Sequence, residues 1–104
     1  MEETVTYSTE SAFHALGLPD ADDLQLRADL LRSIAGVIRA RGLTQVKAGK
    51  LMGMDQPRVS ALMGGKITLF STDRLLRALS DLGQDVEVRI RPSAFARGAL
   101  RVAA

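Results

Sequence analysis

Three polar side chains stand two residues apart in the segment 56–63, and their chemistry suits contact with DNA: Gln56, Arg58 and Ser60. Apolar residues within the segment recur at helical spacing, so the polar side chains are left on the outer side of a predicted helix. A glutamine can form two hydrogen bonds with adenine, and an arginine can bind either guanine or a phosphate. Ser60 can bond a base or a phosphate, and Ala61 on the same side can touch a thymine methyl group.

The residues before this segment predict the partner helix and the turn that a DNA-reading helix needs. Thr44 can cap a first helix, and Gly53 follows it where a left-handed backbone carries no Cβ penalty. Asp55 can cap the second helix, with Pro57 in its first turn, where a missing N–H costs nothing. Gly64-Gly65 ends the second helix, and such a unit can place that helix in the major groove. The apolar face predicted for the first helix consists of Ala48, Leu51 and Met52.

This unit resembles the helix-turn-helix of the lambda-repressor-like, Cro-type family, also called the XRE family. The resemblance is carried by Gln45, Ala48-Gly49, Gly53, Val59 and Leu62. It implies a mostly α fold: a lambda-repressor-like DNA-binding domain of about five helices, to which the sequence adds one C-terminal β-strand. It also implies a dimer that binds double-stranded DNA at a palindromic operator and represses transcription.

Five segments spread over most of the chain carry a narrower resemblance: Gly42-Leu43-Thr44-Gln45, Gln56-Pro57-Arg58-Val59-Ser60, Gly65-Lys66, Phe70-Ser71 and Leu82-Gly83, which leads into Val86-Glu87-Val88. Together they resemble the HigA-type antitoxins. In that family a Cro-type domain represses its own operon and neutralises an RNase toxin of the RelE/HigB-like kind. Two other readings stay open, because one fold serves several functions: a stand-alone phage-type repressor, and a protein-interaction module that does not read DNA.

Phosphate contacts are expected at both ends of the motif. Thr44 and Gln45 begin the first helix, whose free N–H groups suit a phosphate, and Lys66 can hold the flanking backbone. Residues 41–66 carry five basic side chains and one acidic one, although the whole chain has a net charge of only +2. A solvated helix surface would account for any single lysine, but the coincidence of basic charge with the motif favours DNA.

Two further helices are predicted on either side of the motif. Pro19-Asp20 begins a long helix with acidic residues in its first turn, which favours the helix dipole. Ser71 caps the other, with Phe70 and Leu75 spaced as a hydrophobic staple. The long helix carries an apolar stripe at Leu24, Ala28, Leu31, Ala35 and Ile38, and the glycines that end the two helices are Gly42 and Gly83.

Charged and apolar residues alternate strictly in the segment 85–91, which predicts a strand with Val86, Val88 and Ile90 on one apolar face. The backbone groups of a lone strand need partners. The extended segment Thr4–Tyr7, a toxin strand, or the same strand of a second subunit could supply them. We favour pairing across a two-fold axis, which makes these three residues a dimer interface.

The N-terminal 23 residues contain six acidic side chains and no basic one. A short helix capped by Ser8 or Thr9 would add apolar anchors at Phe13, Leu16 and Leu18. Because an RNase toxin must bind polyanionic RNA, this acidic region could cover the basic groove of such a toxin. Alternatively, the acids only solubilise the N-terminus and cap the long helix.

Composition bounds the remaining possibilities. With 104 residues, the chain is expected to form one domain, divided into an N-terminal arm (1–19), a helix-turn-helix domain (20–83) and a C-terminal strand and tail (84–104). Zero cysteines fit a reducing cytoplasm, and no apolar run approaches membrane-spanning length. His14 is the one histidine and has no nucleophile or metal-ligand cluster beside it, so we expect no enzyme activity, metal or cofactor.

Overall fold

The computed structural model describes residues 21–103 of the chain. The predicted segment Thr4–Tyr7, the short N-terminal helix and the anchors Phe13, Leu16 and Leu18 lie outside the described residues. Four α-helices of the five or so predicted, and one short 3-10 helix, occupy the described range. They are α1 (Ala21–Ala40), α2 (Gln45–Met52), α3 (Gln56–Met63), the 3-10 helix (Ile67–Leu69) and α4 (Thr72–Asp81).

Three helices begin at the predicted caps. The Thr44 hydroxyl accepts a hydrogen bond from the backbone N–H of Lys47 at 3.1 Å, which satisfies a free donor of α2. The Asp55 carboxylate accepts one from the backbone N–H of Arg58 at 3.0 Å, at the start of α3. Ser71 caps α4 in the same way at 3.1 Å. The helix starts are therefore confirmed, because capping depends only on neighbours three residues apart.

The core lies between α1 and α4, with α2 and α3 packed against each other at one side. Most of the predicted stripe on α1 is confirmed as buried, and so is the staple of Phe70 and Leu75. Leu51 was expected in the apolar face of α2 but is 43% exposed. The buried face of α2 is formed by positions 48, 49 and 52, and Leu51 projects about a quarter turn away from it. The buried hydrophobic residues are Leu30, Leu31, Ile34, Ala35, Ile38, Ala48, Met52, Val59, Leu62, Phe70, Leu75, Ala78, Leu79 and Leu82.

The strand predicted for residues 85–91 is not formed in the described part of the chain. Alternation gives an extended segment an apolar face, but a strand also needs a neighbouring segment that pairs with its backbone. No other described segment lies beside this one as a partner strand. Consequently Val86 and Val88 are exposed, at 40% and 50%, and Ile90 is half-buried.

An ion pair within α1 holds the start of α4 through hydrogen bonds. Asp23 was expected only as a first-turn acid, yet it is buried and pairs with Arg27 at 2.7 Å. The Thr72 hydroxyl donates to the Asp23 carboxylate at 3.2 Å, and the Arg27 guanidinium donates to the Phe70 carbonyl at 3.2 Å. These groups fix the segment that leads from the 3-10 helix into α4.

Two other arginines donate to main-chain carbonyls at helix ends. Arg74, from α4, donates to the carbonyl of Met52 at the end of α2. Arg41 donates to the carbonyl of Leu82, just after α4, at 2.8 Å. Such charge-assisted bonds satisfy carbonyls that have no partner within their helix, so they hold the helix ends against neighbouring elements.

Candidate nucleic-acid interface

The turn between α2 and α3 brings the two helices unusually close. Gly53 adopts a left-handed backbone with φ of 67°, and the N–H of Met54 donates to the carbonyl of Gly49 at 2.9 Å. A Cβ added at Gly49 would lie 2.6 Å from the Met54 carbonyl oxygen and 3.1 Å from a methyl of Val59. Only glycine fits this crossing, as expected from the small residues at 48 and 49. The turn thereby sets the angle between α2 and α3.

The orientation of α3 agrees with the predicted division into inner and outer sides. Val59 and Leu62 are fully buried against the core. Gln56, Arg58 and Ser60 are exposed, and so is Pro57 in the first turn. A polar face therefore starts at the N-terminal end of α3, where recognition helices of this type meet base edges.

Ala61 lies deeper than expected from the sequence. It is half-buried and packs against the hydrophobic core, as Met63 does. It stands at the edge of the polar face of α3, so its methyl group is less accessible than the side chains of Gln56 and Ser60.

Arg58 does not simply extend into solvent. Its guanidinium carbon lies 4.8 Å from the centre of the Phe70 ring, within the range of a cation–π contact. The Asp55 carboxylate next to it is occupied by the backbone N–H that it caps. Sequence reasoning missed Phe70 as a partner of this site, because 12 positions separate it from Arg58 and no local pattern connects the two.

Gln45 and Gln56, from the starts of α2 and α3, come together across one shallow depression. Val46 and Lys50 line the same depression, and the glycine crossing forms its floor. Gln45 is half-buried, whereas Thr44 is exposed with its hydroxyl used by the cap. The two predicted contact regions at the helix starts thus form one continuous surface.

Basic side chains surround this surface. Lys47 and Lys50 are exposed on α2, and Lys66 is exposed just after α3. Over residues 21–103 no carboxylate pairs with any of the three within 4.0 Å. Their charges therefore remain available to an anionic partner such as the DNA backbone.

The described residues offer this surface hydrogen bonding and positive charge. Within residues 21–103, no group of three His, Cys, Asp or Glu side chains could hold a metal ion. No helix in that range is long and apolar enough to cross a membrane. A polar helix face bordered by lysines is typical of a surface that binds nucleic acid.

Comparison with known proteins agrees with this interpretation. A protein family described as a helix-turn-helix domain matches residues 12–91. A solved structure named as an XRE family transcriptional regulator is 38% identical to the chain, with a TM-score of 0.73. The match covers 83% of this chain and 97% of the other. No protein with a curated description matches.

Proposed function

The chain belongs to the XRE-type helix-turn-helix family, and from that premise we propose that it is a sequence-specific DNA-binding repressor of transcription. The observation that carries the proposal is the polar N-terminal face of α3, held outward by Val59 and Leu62 and bordered by lysines without carboxylate partners.

In this proposal α3 enters the major groove. Gln56 lies in the first turn and forms two hydrogen bonds with an adenine edge. Ser60, one turn further along, bonds a base or phosphate where the groove permits. Pro57 contacts the groove wall. The partly accessible methyl group of Ala61, at the edge of the polar face of α3, contacts a thymine methyl group.

The start of α2 would lie against the DNA backbone. Backbone N–H groups behind Thr44 and Gln45 stand at the positive end of the helix dipole and suit a phosphate. Lys66 follows α3 and would hold the phosphates that flank the bases read by it. These contacts position the protein without distinguishing sequences.

The C-terminal segment supports a dimer as part of the proposal. Val86 and Val88 are exposed, alternate with charged residues, and have no backbone partner within residues 21–103. Pairing with the same segment of a second subunit, with Ile90 completing the apolar face, would cover them. A two-fold dimer would then place two recognition helices on a palindromic operator.

The biological setting that we propose is a type II toxin–antitoxin system. The HigA-type resemblance implies a RelE/HigB-like RNase toxin as partner, and the acidic residues of the N-terminal 23 positions suit a basic toxin surface. Phe13, Leu16 and Leu18 would anchor that contact. A stand-alone phage-type repressor is the alternative if no toxin partner exists.

Selection from random duplexes tests the central proposal. The protein should enrich one palindromic sequence, and its affinity for that duplex should fall steeply with salt. Enrichment of no sequence would contradict DNA reading and favour a protein-interaction module of the same fold. A co-purification with the product of the adjacent reading frame then tests the antitoxin role separately.

A further inference from the structure

The contact between Arg58 and Phe70 joins the exposed face of α3 to the core. The guanidinium carbon lies 4.8 Å from the ring centre, and Phe70 is only 1% exposed. A cation over an aromatic face is attracted by the ring quadrupole. This attraction acts on the charge of the cation and uses none of the hydrogen bonds that the five N–H donors of a guanidinium can form, so these donors stay available to another partner.

The Phe70 ring cannot readily follow the movements of Arg58. The backbone carbonyl of Phe70 accepts a hydrogen bond from Arg27 at 3.2 Å, and Arg27 pairs with the buried Asp23 at 2.7 Å. Thr72, two residues after Phe70, donates to the same carboxylate at 3.2 Å. The backbone that carries the ring is therefore held to α1, and the ring itself is buried in the core. It provides a fixed surface for a side chain that would otherwise sample many rotamers.

The N–H donors of the Arg58 guanidinium are also available to another partner. Within residues 21–103, no ion pair or hydrogen bond involves its guanidinium, and the nearby Asp55 carboxylate caps the helix instead. Arg58 is exposed and lies in the first turn of α3. A guanidinium that is held in position and has no partner in the first turn of α3 can bind two acceptor atoms that lie in one plane.

We infer that Phe70 is a positioning residue that holds Arg58 for bidentate recognition of a guanine, an inference that rests on the proposed DNA-binding function. The O6 and N7 acceptors of guanine require both the position and the plane of the guanidinium to be set. A phosphate can also be bound through two N–H groups, but a mobile cation can reach its oxygens from many directions, so its demand on the guanidinium plane is weaker. The immobile ring beneath Arg58 therefore favours a base over the backbone.

A double-mutant cycle on the selected operator tests this inference. Phe70→Leu should weaken operator binding about two- to fivefold, the value of an exposed cation–π contact converted to affinity. In an Arg58→Ala background the same substitution should change affinity hardly at all. A purely structural loss would weaken both backgrounds equally, so the coupling between the two substitutions is the diagnostic result.

Base chemistry provides a second readout. Replacing the contacted guanine by 7-deazaguanine removes the N7 acceptor, and it should weaken the wild-type protein while leaving Arg58→Ala unaffected. Leu75→Val is the matched control, because Leu75 is buried in the same core but offers Arg58 no aromatic ring. It should act alike in both backgrounds. If circular dichroism shows that Phe70→Leu is unfolded, Phe70→Met removes the ring with a flexible side chain that fills irregular gaps in a core.

The inference is overturned if the effects of Phe70 and Arg58 substitutions simply add. It is also overturned if Arg58→Ala lowers the slope of log affinity against log salt by about 0.9 without changing base discrimination, since Arg58 would then be a phosphate contact. Failure of the wild-type protein to select any sequence would instead refute the proposed function itself. The two failures are therefore distinguishable.

Discussion

Replacing Gly49 by alanine should destabilise the domain, although alanine favours helices over glycine. In an open helix the change gains roughly 0.5–1 kcal/mol, because alanine loses less backbone entropy on folding. At Gly49 the new Cβ would lie 2.6 Å from the carbonyl oxygen of Met54, which belongs to the rigid turn, and 3.1 Å from Val59. Relieving that overlap costs about 1–3 kcal/mol for an overpacked site. Since the neighbour is backbone, we expect the upper part of this range and a net loss of about 1–2 kcal/mol.

The chain contains a matched control for this prediction. Gly36 lies within a helix, as Gly49 does, but it is exposed, and a Cβ added there meets nothing within 4 Å. Gly36→Ala should therefore raise stability by roughly 0.5–1 kcal/mol, and the difference between the two variants isolates the overlap. Urea unfolding followed by circular dichroism measures both. With a slope of about 1 kcal/mol/M, the midpoint of Gly49→Ala should fall by about 1–2 M. If both substitutions stabilised the protein equally, the close approach of α2 and α3 would be refuted.

Four further predictions concern binding. Gln56→Ala should lower operator affinity more than affinity for random duplex, by about 1–3 kcal/mol of discrimination, in titrations at fixed salt; equal weakening of both would show that Gln56 does not read sequence. Lys66→Ala should weaken all duplexes alike and reduce the salt slope by roughly 0.9, whereas relaxed specificity at an unchanged slope would contradict a phosphate contact. Val88→Pro should shift light scattering toward monomer at native helical content, because proline removes a ladder donor; an unaltered dimer would place the interface elsewhere. Deletion of residues 1–19 should impair toxin neutralisation and spare operator binding, and full neutralisation by the truncated protein would end the proposed N-terminal contact.

Local features of the fold could be predicted from the sequence because their causes are local. Thr44, Asp55 and Ser71 cap helices through hydrogen bonds to residues three positions away. The left-handed conformation of Gly53 likewise follows from its place after an apolar helical segment. The polar face of α3 was predictable for the same reason, since helical periodicity alone separates its two sides.

The missed features depend on contacts between distant positions. Arg27 bonds the Phe70 carbonyl across 43 positions of sequence, and no pattern in the chain indicates such a pair. The strand predicted at 85–91 is not formed within residues 21–103, because alternation describes one segment while a strand also requires a pairing partner, and each partner proposed for it lies outside that range. Leu51 was misassigned because α2 is only eight residues long, too short for periodicity to define its buried face.

All three lysines of the chain, Lys47, Lys50 and Lys66, lie on or beside the helix-turn-helix, and all three are exposed. The other eleven basic residues are arginines, several of which bond carbonyls inside the fold. Side-chain amines therefore occur only around the proposed interface. Among the side-chain nitrogens, a reagent that acylates amines but spares guanidinium groups would modify only those of this surface, and bound DNA should slow the reaction. Enzymatic lysine acetylation would act on the same place, removing positive charge from the interface without disturbing the arginines that hold the helices together.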